Sequence, residues 1–500
     1  MTSIQWLARY PMNFHRRVVT ALSILLPLLF SSSAVLAQPT PVYRERLRPQ
    51  YHFTARQWTL HKLNPVIRPE HPHGGEQGWI NDPNGLVYYK GEWHLFANGA
   101  GSYWVHAVSK DLLHWEELPP KLIRDTVLGN TASGSAVVDW NNTSGFGTAK
   151  EKALLAFFTG WKNKVQCMAY SIDRGRTWTK YKENPILAHA DRDPKVFWYE
   201  PDSKWIMIVY GPPGRSYNFF GSADLKNWEK LSTFPDMFEC PDIFQLPLDD
   251  DQENMKWVLS DGNGSYVVGQ FDGREFHVEQ EKEALDYGFN FYATQTWSDV
   301  PKKDGRCIQM AWMRGGKFPD MPFNQQLTFP CELSLRTVRG KMILYRYPIA
   351  DISGLYAKEH KWKNISVSHG NNLLCGIEGD SFDIEVEFEP AESDALGFKI
   401  QGNDVQYTTK TKAVVSCRTH PMKTEPIDGR IHMRILVDRT SIEVFVNHGE
   451  ITGANCILPK EDSGPPKLYI NGGDAFIHSL KVRELKSIWP TTGHTASRRR

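Results

Sequence analysis

The chain has 500 residues in which 58 Lys and Arg nearly cancel 57 Asp and Glu, and a net charge of +1 excludes the basic footprint that holds nucleic acid or anionic surfaces. Seven cysteines without a Cys-x-x-Cys pair exclude a zinc ribbon and a dense disulfide framework, leaving room for one or two isolated bridges. The 17 Trp, 19 Tyr and 25 Phe, with 38 Gly and 31 Pro, suit many short strands joined by tight turns and offer flat rings for stacking on sugars.

The first predicted element is a leader. Arg16 and Arg17 precede the apolar run "VVTALSILLPLLFSSSAVLA", which ends in small residues at Ala37. Positive, then apolar, then small is the layout of a secretory signal peptide over residues 1–37, cleaved after Ala37. The alternative is an uncleaved anchor, against which Pro27 and the Ser31–Ser33 cluster stand. No later stretch is apolar enough to cross a bilayer, so the expected mature protein is soluble, without stable membrane insertion, and secreted or periplasmic. Its length of roughly 460 residues predicts two or three domains.

Next comes "GWINDPNGLVYYKGEWHLF", residues 78–96, where Asn81-Asp82-Pro83-Asn84-Gly85 has turn composition and is followed by a strand-like alternation. Beyond it one pattern returns about every 50 residues: "VSKDLLHWEEL", "YSIDRGRTWTKY", "GSADLKNWEKL" and, more worn, "GQFDGREFHVE". Each has a strand, a small residue, an Asp, a short turn, and an aromatic (Trp115, Trp178, Trp228, Phe276) opening the next strand. The Asp can cap the turn's amides and the aromatic can pack across the hairpin, so these positions read as structure. This period predicts an all-β fold, a five-bladed β-propeller over residues 50–340, the fifth blade coming from residues 293–316. From 360 to 488, runs such as "DSFDIEVEFEP" and "HMRILVDRTSIEVFVNHGE" alternate apolar and polar residues and predict a C-terminal β-sandwich with a scaffold role.

Two further acidic clusters lie inside the propeller segment, Arg192-Asp193-Pro194 and Glu239-Cys240-Pro241, each just before an aromatic or aliphatic strand. Asp193 falls about two blades after Asp82, and Glu239 about one blade after Asp193, as expected for side chains gathered at the mouth of a central funnel. Hydrolysis of a glycosidic bond needs one protonated carboxyl and one ionised. Glu239, between Met237, Phe238 and Cys240, is the better acid, because apolar neighbours disfavour its charge. Asp82, with amide donors on Asn81 and Asn84, suits the ionised role, and Asp193 beside Arg192 suits holding sugar hydroxyls.

These three motifs resemble the signatures of family 32 glycoside hydrolases, the levanases, inulinases and invertases. Further likeness comes from "SGSAVVD", "LDYGFNFYATQTW", "AWM" and "LVDRTSIEVFVN", so that it covers about residues 50–488. The resemblance implies a propeller plus sandwich acting on β-D-fructofuranosides with retention, the nucleophile and acid/base roughly 5 Å apart. It assigns Asp82 as nucleophile, Glu239 as acid/base and Asp193 as transition-state stabiliser. It places Trp79, Asn81, Ser133, Arg192 and Trp312 around the fructose, with Asn98 and Trp104 also facing substrate. Departures from the family pattern occur at Ala97-Asn98, Trp104-Val105 and Asn290, read here as the leaving-group side. Export and those departures favour a fructan exo-hydrolase over a sucrose-specific enzyme, with levan, inulin or sucrose as the saccharide partner and no metal or cofactor. Rival readings are a fructosyltransferase, a non-catalytic fructan-binding propeller, and a sialidase, suggested by the Asp-box "SIDRGRTW" but lacking an arginine cluster and a distinguishable Tyr nucleophile.

Overall fold

The computed structural model describes residues 43–489, apart from 57, 59–77, 100–101, 189–190, 391–392, 418 and 462; the expected leader lies outside the described residues. Period-2 alternation bounded by Gly, Pro and Asp produces strands throughout, and among the described residues no helix is long and apolar enough to cross a membrane.

The strands form five blades of four. Blade I comprises Pro83–Tyr89, Glu92–Gly99, Tyr103–Ser109 and Trp115–Leu118. Blade II comprises Thr131–Asp139, Ala153–Gly160, Val165–Ser171 and Thr179–Lys180, and blade III Arg192–Tyr199, Lys204–Gly211, Ser216–Ser222 and Glu229–Pro235. Blade IV comprises Asp242–Leu248, Asp251–Ser260, Ser265–Phe271 and Phe276–Ala284, and blade V Tyr292–Thr296, Cys307–Trp312, Cys331–Val338 and Lys341–Pro348. The repeated motif is the hairpin before each outermost strand of blades I to IV. Asp111 accepts from the amides of Leu113 and His114, Asp224 from Lys226 and Asn227, and Asp272 from Arg274 and Glu275. In the Asp-box, Asp173 accepts from Thr177 and the Trp178 indole returns to Gly175 O at 3.0 Å, so this motif is a turn and carries no chemistry.

Blades I to III are separate sheets, and blades IV and V touch through a single parallel pairing of Leu248 with Leu335, so most of the joining falls to side chains. Around the axis, Gln295 of blade V accepts from Leu86 N of blade I at 3.0 Å and donates to Gly134 O of blade II at 2.8 Å. Ser135 of blade II bridges Pro194 O and Val196 N of blade III. Lys195 of blade III meets Asp242 of blade IV at 2.7 Å, both buried, and Asp242 accepts from the amide and hydroxyl of Thr296 in blade V. This axial belt closes the ring, and Ser298 completes it by exchanging backbone bonds with Leu86 and Tyr88.

The sandwich pairs a six-stranded sheet (Tyr356–Val367, Ala475–Leu485, Phe382–Glu389, Ile431–Asp438, Ser441–Val446, Ile451–Cys456) with a five-stranded one (Met422–Lys423, Ala413–Ser416, Asn403–Thr408, Ser393–Ile400, Lys467–Gly472). Phe382, Ile384, Val386 and Phe388 alternate into the core between them. The motif "LVDRTSIEVFVN" bonds this sandwich to the propeller. Asp438 accepts from the amides of Gln50, Tyr51 and His52, and Glu443 from Phe329 N. The fully buried His52 ring meets Asp438 and Glu443 at 2.9 Å each, and Arg346 of blade V reaches Glu443 at 3.2 Å. These two carboxylates push His52 up to about 9 despite its burial.

Candidate active site

The innermost strands begin at one end of the ring, and there the turn at 81–85 aims its carboxylate. Gly85 sits at φ +59°, and a Cβ there would lie 2.9 Å from the Trp104 ring, so the turn requires glycine on both counts. Asn81 and Asp82 are anchored by reciprocal backbone bonds with Asn98, each 3.0 Å. Trp79 pairs in parallel with Asn324, and its indole donates to Asn81 Oδ1 at 3.2 Å. The indole can only donate, so it turns the Asn81 amide nitrogen toward Asp82 Oδ1, 3.3 Å away.

A second line reaches the other oxygen. Asn84 donates to Asn98 (3.1 Å), Asn98 to Ser133 (2.7 Å), and Ser133 to Asp82 Oδ2 (2.6 Å). Having accepted from Asn98, the Ser133 hydroxyl has its proton free for Asp82, which gives the relay a direction. Burial raises the Asp82 carboxyl above its usual range, and the bonds from Ser133 and Asn81 oppose that rise.

Asp193 and Glu239 enter by strained backbone. Asp193 has φ +63°, and Glu239 and Cys240 have +51° and +41°, conformations rare for residues with a Cβ. Asp193 N donates to Thr159, while its Oδ2 accepts from Cys240 N at 3.1 Å. The Cys240 sulfur lies 3.7 Å from Asp193 and 3.9 Å from Asp82, between the two carboxylates. Burial and the Asp82 charge raise Asp193 to about 7. Glu239 Oε1 meets Arg192 Nη2 at 2.5 Å, Tyr292 donates to its Oε2, and Tyr217 holds its carbonyl at 2.8 Å.

The cavity of about 330 Å³ over these groups is lined by Asp82, Asn98, Asn130, Ala132, Ser133, Trp161, Arg192, Asp193 and Glu239. Six positions expected from the sequence thus meet there, and Trp79 and Asn81 join through Asp82. Trp312 enters at second hand, its ring centre 6.1 Å from that of Tyr292 in an edge-to-face pair and its N–H on Gln325.

Four expectations are corrected. Trp104 faces no substrate: it is 1 % exposed, its N–H spent on Ala132 O, packed with Phe96 and Phe158 beneath the turn. Ala97 and Val105 are fully buried with it, and Asn290 spends its amide on Arg314 O and Cys456 N, tying blade V to the sandwich. Those departures are therefore packing, and only Asn98 touches the cavity. Glu239 is also not desolvated by its chain neighbours, since Met237 points into the core while the glutamate takes Arg192 and Tyr292. Asn84 serves Asn98 rather than Asp82. Tyr292, Cys240, Trp161 and Asn130 were missed; the first two lay inside stretches already singled out, whereas nothing local marks Asn130. Among the described residues, the one group with metal-ligand spacing is the exposed Asp272, Glu275 and His277, at the turn of blade IV.

Residues 73–348 match the family described as glycosyl hydrolases family 32 N-terminal domain, and residues 351–484 the glycosyl hydrolases family 32 C terminal. A levanase from Bacillus subtilis (strain 168) is 36 % identical over 538 residues, covering 95 % of this chain and 75 % of that protein. A levanase from Bacillus sp. (strain L7) is 32 % identical over 518 residues, and this chain spans 53 % of its length and 89 % of its own. Among solved structures, the exo-inulinase from Aspergillus awamori superposes with a TM-score of 0.76 at 26 % identity, covering 89 % of this chain and all of that one.

Proposed function

Because the chain belongs to glycosyl hydrolase family 32, we propose that it releases fructose from the ends of fructan chains, levan or inulin, by double displacement with retention of configuration. The leader predicted over residues 1–37 would export it to where such polymers are met. Asp82 attacks the anomeric carbon and forms the fructosyl-enzyme, Glu239 protonates the departing oxygen and then activates water, and Asp193 holds sugar hydroxyls through the transition state.

The observation that carries this reading is the directed relay from Asn84 through Asn98 and Ser133 to Asp82. A half-buried carboxylate that receives a 2.6 Å hydroxyl bond and an amide bond is fixed in orientation and favoured as the ion that must attack. Glu239 is built differently. Arg192 reaches one of its oxygens and Tyr292 donates to the other, so the carboxyl is held in place by one charged and one neutral donor. Burial and the neighbouring Asp82 charge lift Asp193 to about 7, so Asp193 carries a proton on the acid side of neutrality.

The test is product analysis with the purified mature protein on levan, inulin and sucrose. Free β-fructose as the first product from a polymer is expected. Short oligofructans as the first products would replace exo-action by internal cleavage, and fructosylated acceptors without free fructose would replace hydrolysis by transfer.

A further inference from the structure

Trp161 is the anomaly of the cavity. It stands one residue beyond the second strand of blade II, in the turn to the third, and keeps 45 % of its surface exposed. The repeat tryptophans Trp178 and Trp228 pack against hydrophobic clusters, whereas no cluster among the described residues includes Trp161. Leaving so large an apolar ring in water has a cost that structure alone does not recover.

The ring is nevertheless held. Trp161 N donates to Asn130 O at 3.0 Å, and Lys162 N to Leu128 O at 3.1 Å, which pins the turn to the loop carrying Asn130. The Lys164 ammonium lies 5.6 Å from the centre of the ring and 3.1 Å from Asp191, and Asp191 in turn holds Arg192 at 3.0 Å. A cation on the ring orients the indole, and its anchoring through Asp191 ties that orientation to the arginine that grips Glu239.

Exposure also orders the cavity from depth to rim, from Asp193 at 7 % to Trp161 at 45 %. The fructosyl unit that reacts needs the carboxylates, and what leaves lies outward from them. From this placement, and resting on the reading of the cavity as a fructosidase site, we propose that Trp161 is the stacking platform for the sugar on the leaving side of the scissile bond. The ring of that sugar lies its C–H face on the indole, so Trp161 determines preference for a saccharide leaving group over a small one.

The experiment compares Trp161→Ala and Trp161→Phe with the unaltered protein on fructose disaccharides with levan and inulin linkages, and on methyl β-D-fructofuranoside, whose leaving group has no ring. Trp161→Ala is expected to lose about three- to tenfold in kcat/KM on the disaccharides, mostly in KM, and less than about twofold on the methyl fructoside. Trp161→Phe should recover most of the loss. An equal loss on all substrates, or none, overturns the proposal while the unaltered protein remains active. Failure of the unaltered protein on every fructoside overturns instead the reading of the cavity on which it rests.

Discussion

Replacing Asp193 by Asn should stabilise the protein while abolishing its function. Asp193 is 7 % exposed, and its burial beside Asp82 lifts its carboxyl from an ordinary 3.8 to about 7. Between those values the folded chain holds a proton that the unfolded chain has lost, so stability falls as pH rises through this window and then levels off. The accumulated loss is about 4 kcal/mol at pH 8, from about 1.4 kcal/mol for each pH unit. The amide of Asn keeps an oxygen for Cys240 N and removes the charge, so most of that loss should disappear. Urea unfolding of the mature protein, followed by tryptophan fluorescence from pH 4 to 8.5, measures it. The two proteins should coincide near pH 4 and separate by about 2–4 kcal/mol at pH 8, with Asp193→Asn the more stable. Parallel curves, or a variant less stable at pH 8, would show that Asp193 is not held protonated by its burial beside Asp82.

Asp82→Ala and Glu239→Ala should each fold with unchanged circular dichroism and lose at least about a hundredfold in turnover; near-normal turnover by either sinks its assignment. Ser133→Ala removes the 2.6 Å bond to Asp82 and strands the Asn98 amide, so kcat/KM should drop about ten- to a hundredfold, and the acidic limb of the pH–rate profile should move to higher pH. An unmoved limb would deny the relay its effect on Asp82. His52→Ala leaves the buried Asp438 without its cation and Glu443 with Arg346 alone, costing about 3–5 kcal/mol in urea unfolding. In the unaltered protein the same contact makes a separate loss: His52 is raised from 6.5 to about 9, so its contribution is complete below 6.5 and fades by about 3 kcal/mol as pH climbs through 9.

What could be read from the sequence was what depends on short range. The Asp and the aromatic of each repeat act within one hairpin, Asp111 on its own amides and Trp178 on Gly175, so spacing alone revealed the blades. The three carboxylates were legible because each sits in a turn of unusual composition at the head of an inner strand. Surroundings were not legible. The sequence puts Met237 and Phe238 beside Glu239, but positive φ at Glu239 and Cys240 turns the carboxylate away from them to Arg192, nearly fifty residues earlier. Trp104 and Asn290 were assigned by analogy to the substrate side, while their contacts with Ala132 and Cys456 come from parts of the chain that no local pattern connects. Trp161 showed no motif at all, since its meaning lies in exposure.

The axial belt bears on traffic as well as on closure. Gln295, Ser135, Lys195 and Asp242 fill the axis between the catalytic cavity and a second hollow of about 430 Å³ at the opposite ends of the inner strands, where Lys195 and Thr296 line the wall. With a buried ion pair and satisfied amides across that passage, the catalytic cavity is a cul-de-sac. A fructose cut from a chain end must back out through the mouth by which it entered, and the shortened chain must clear that mouth first. Each bond broken is then a separate encounter, and a population of polymer chains should shorten together rather than one chain at a time.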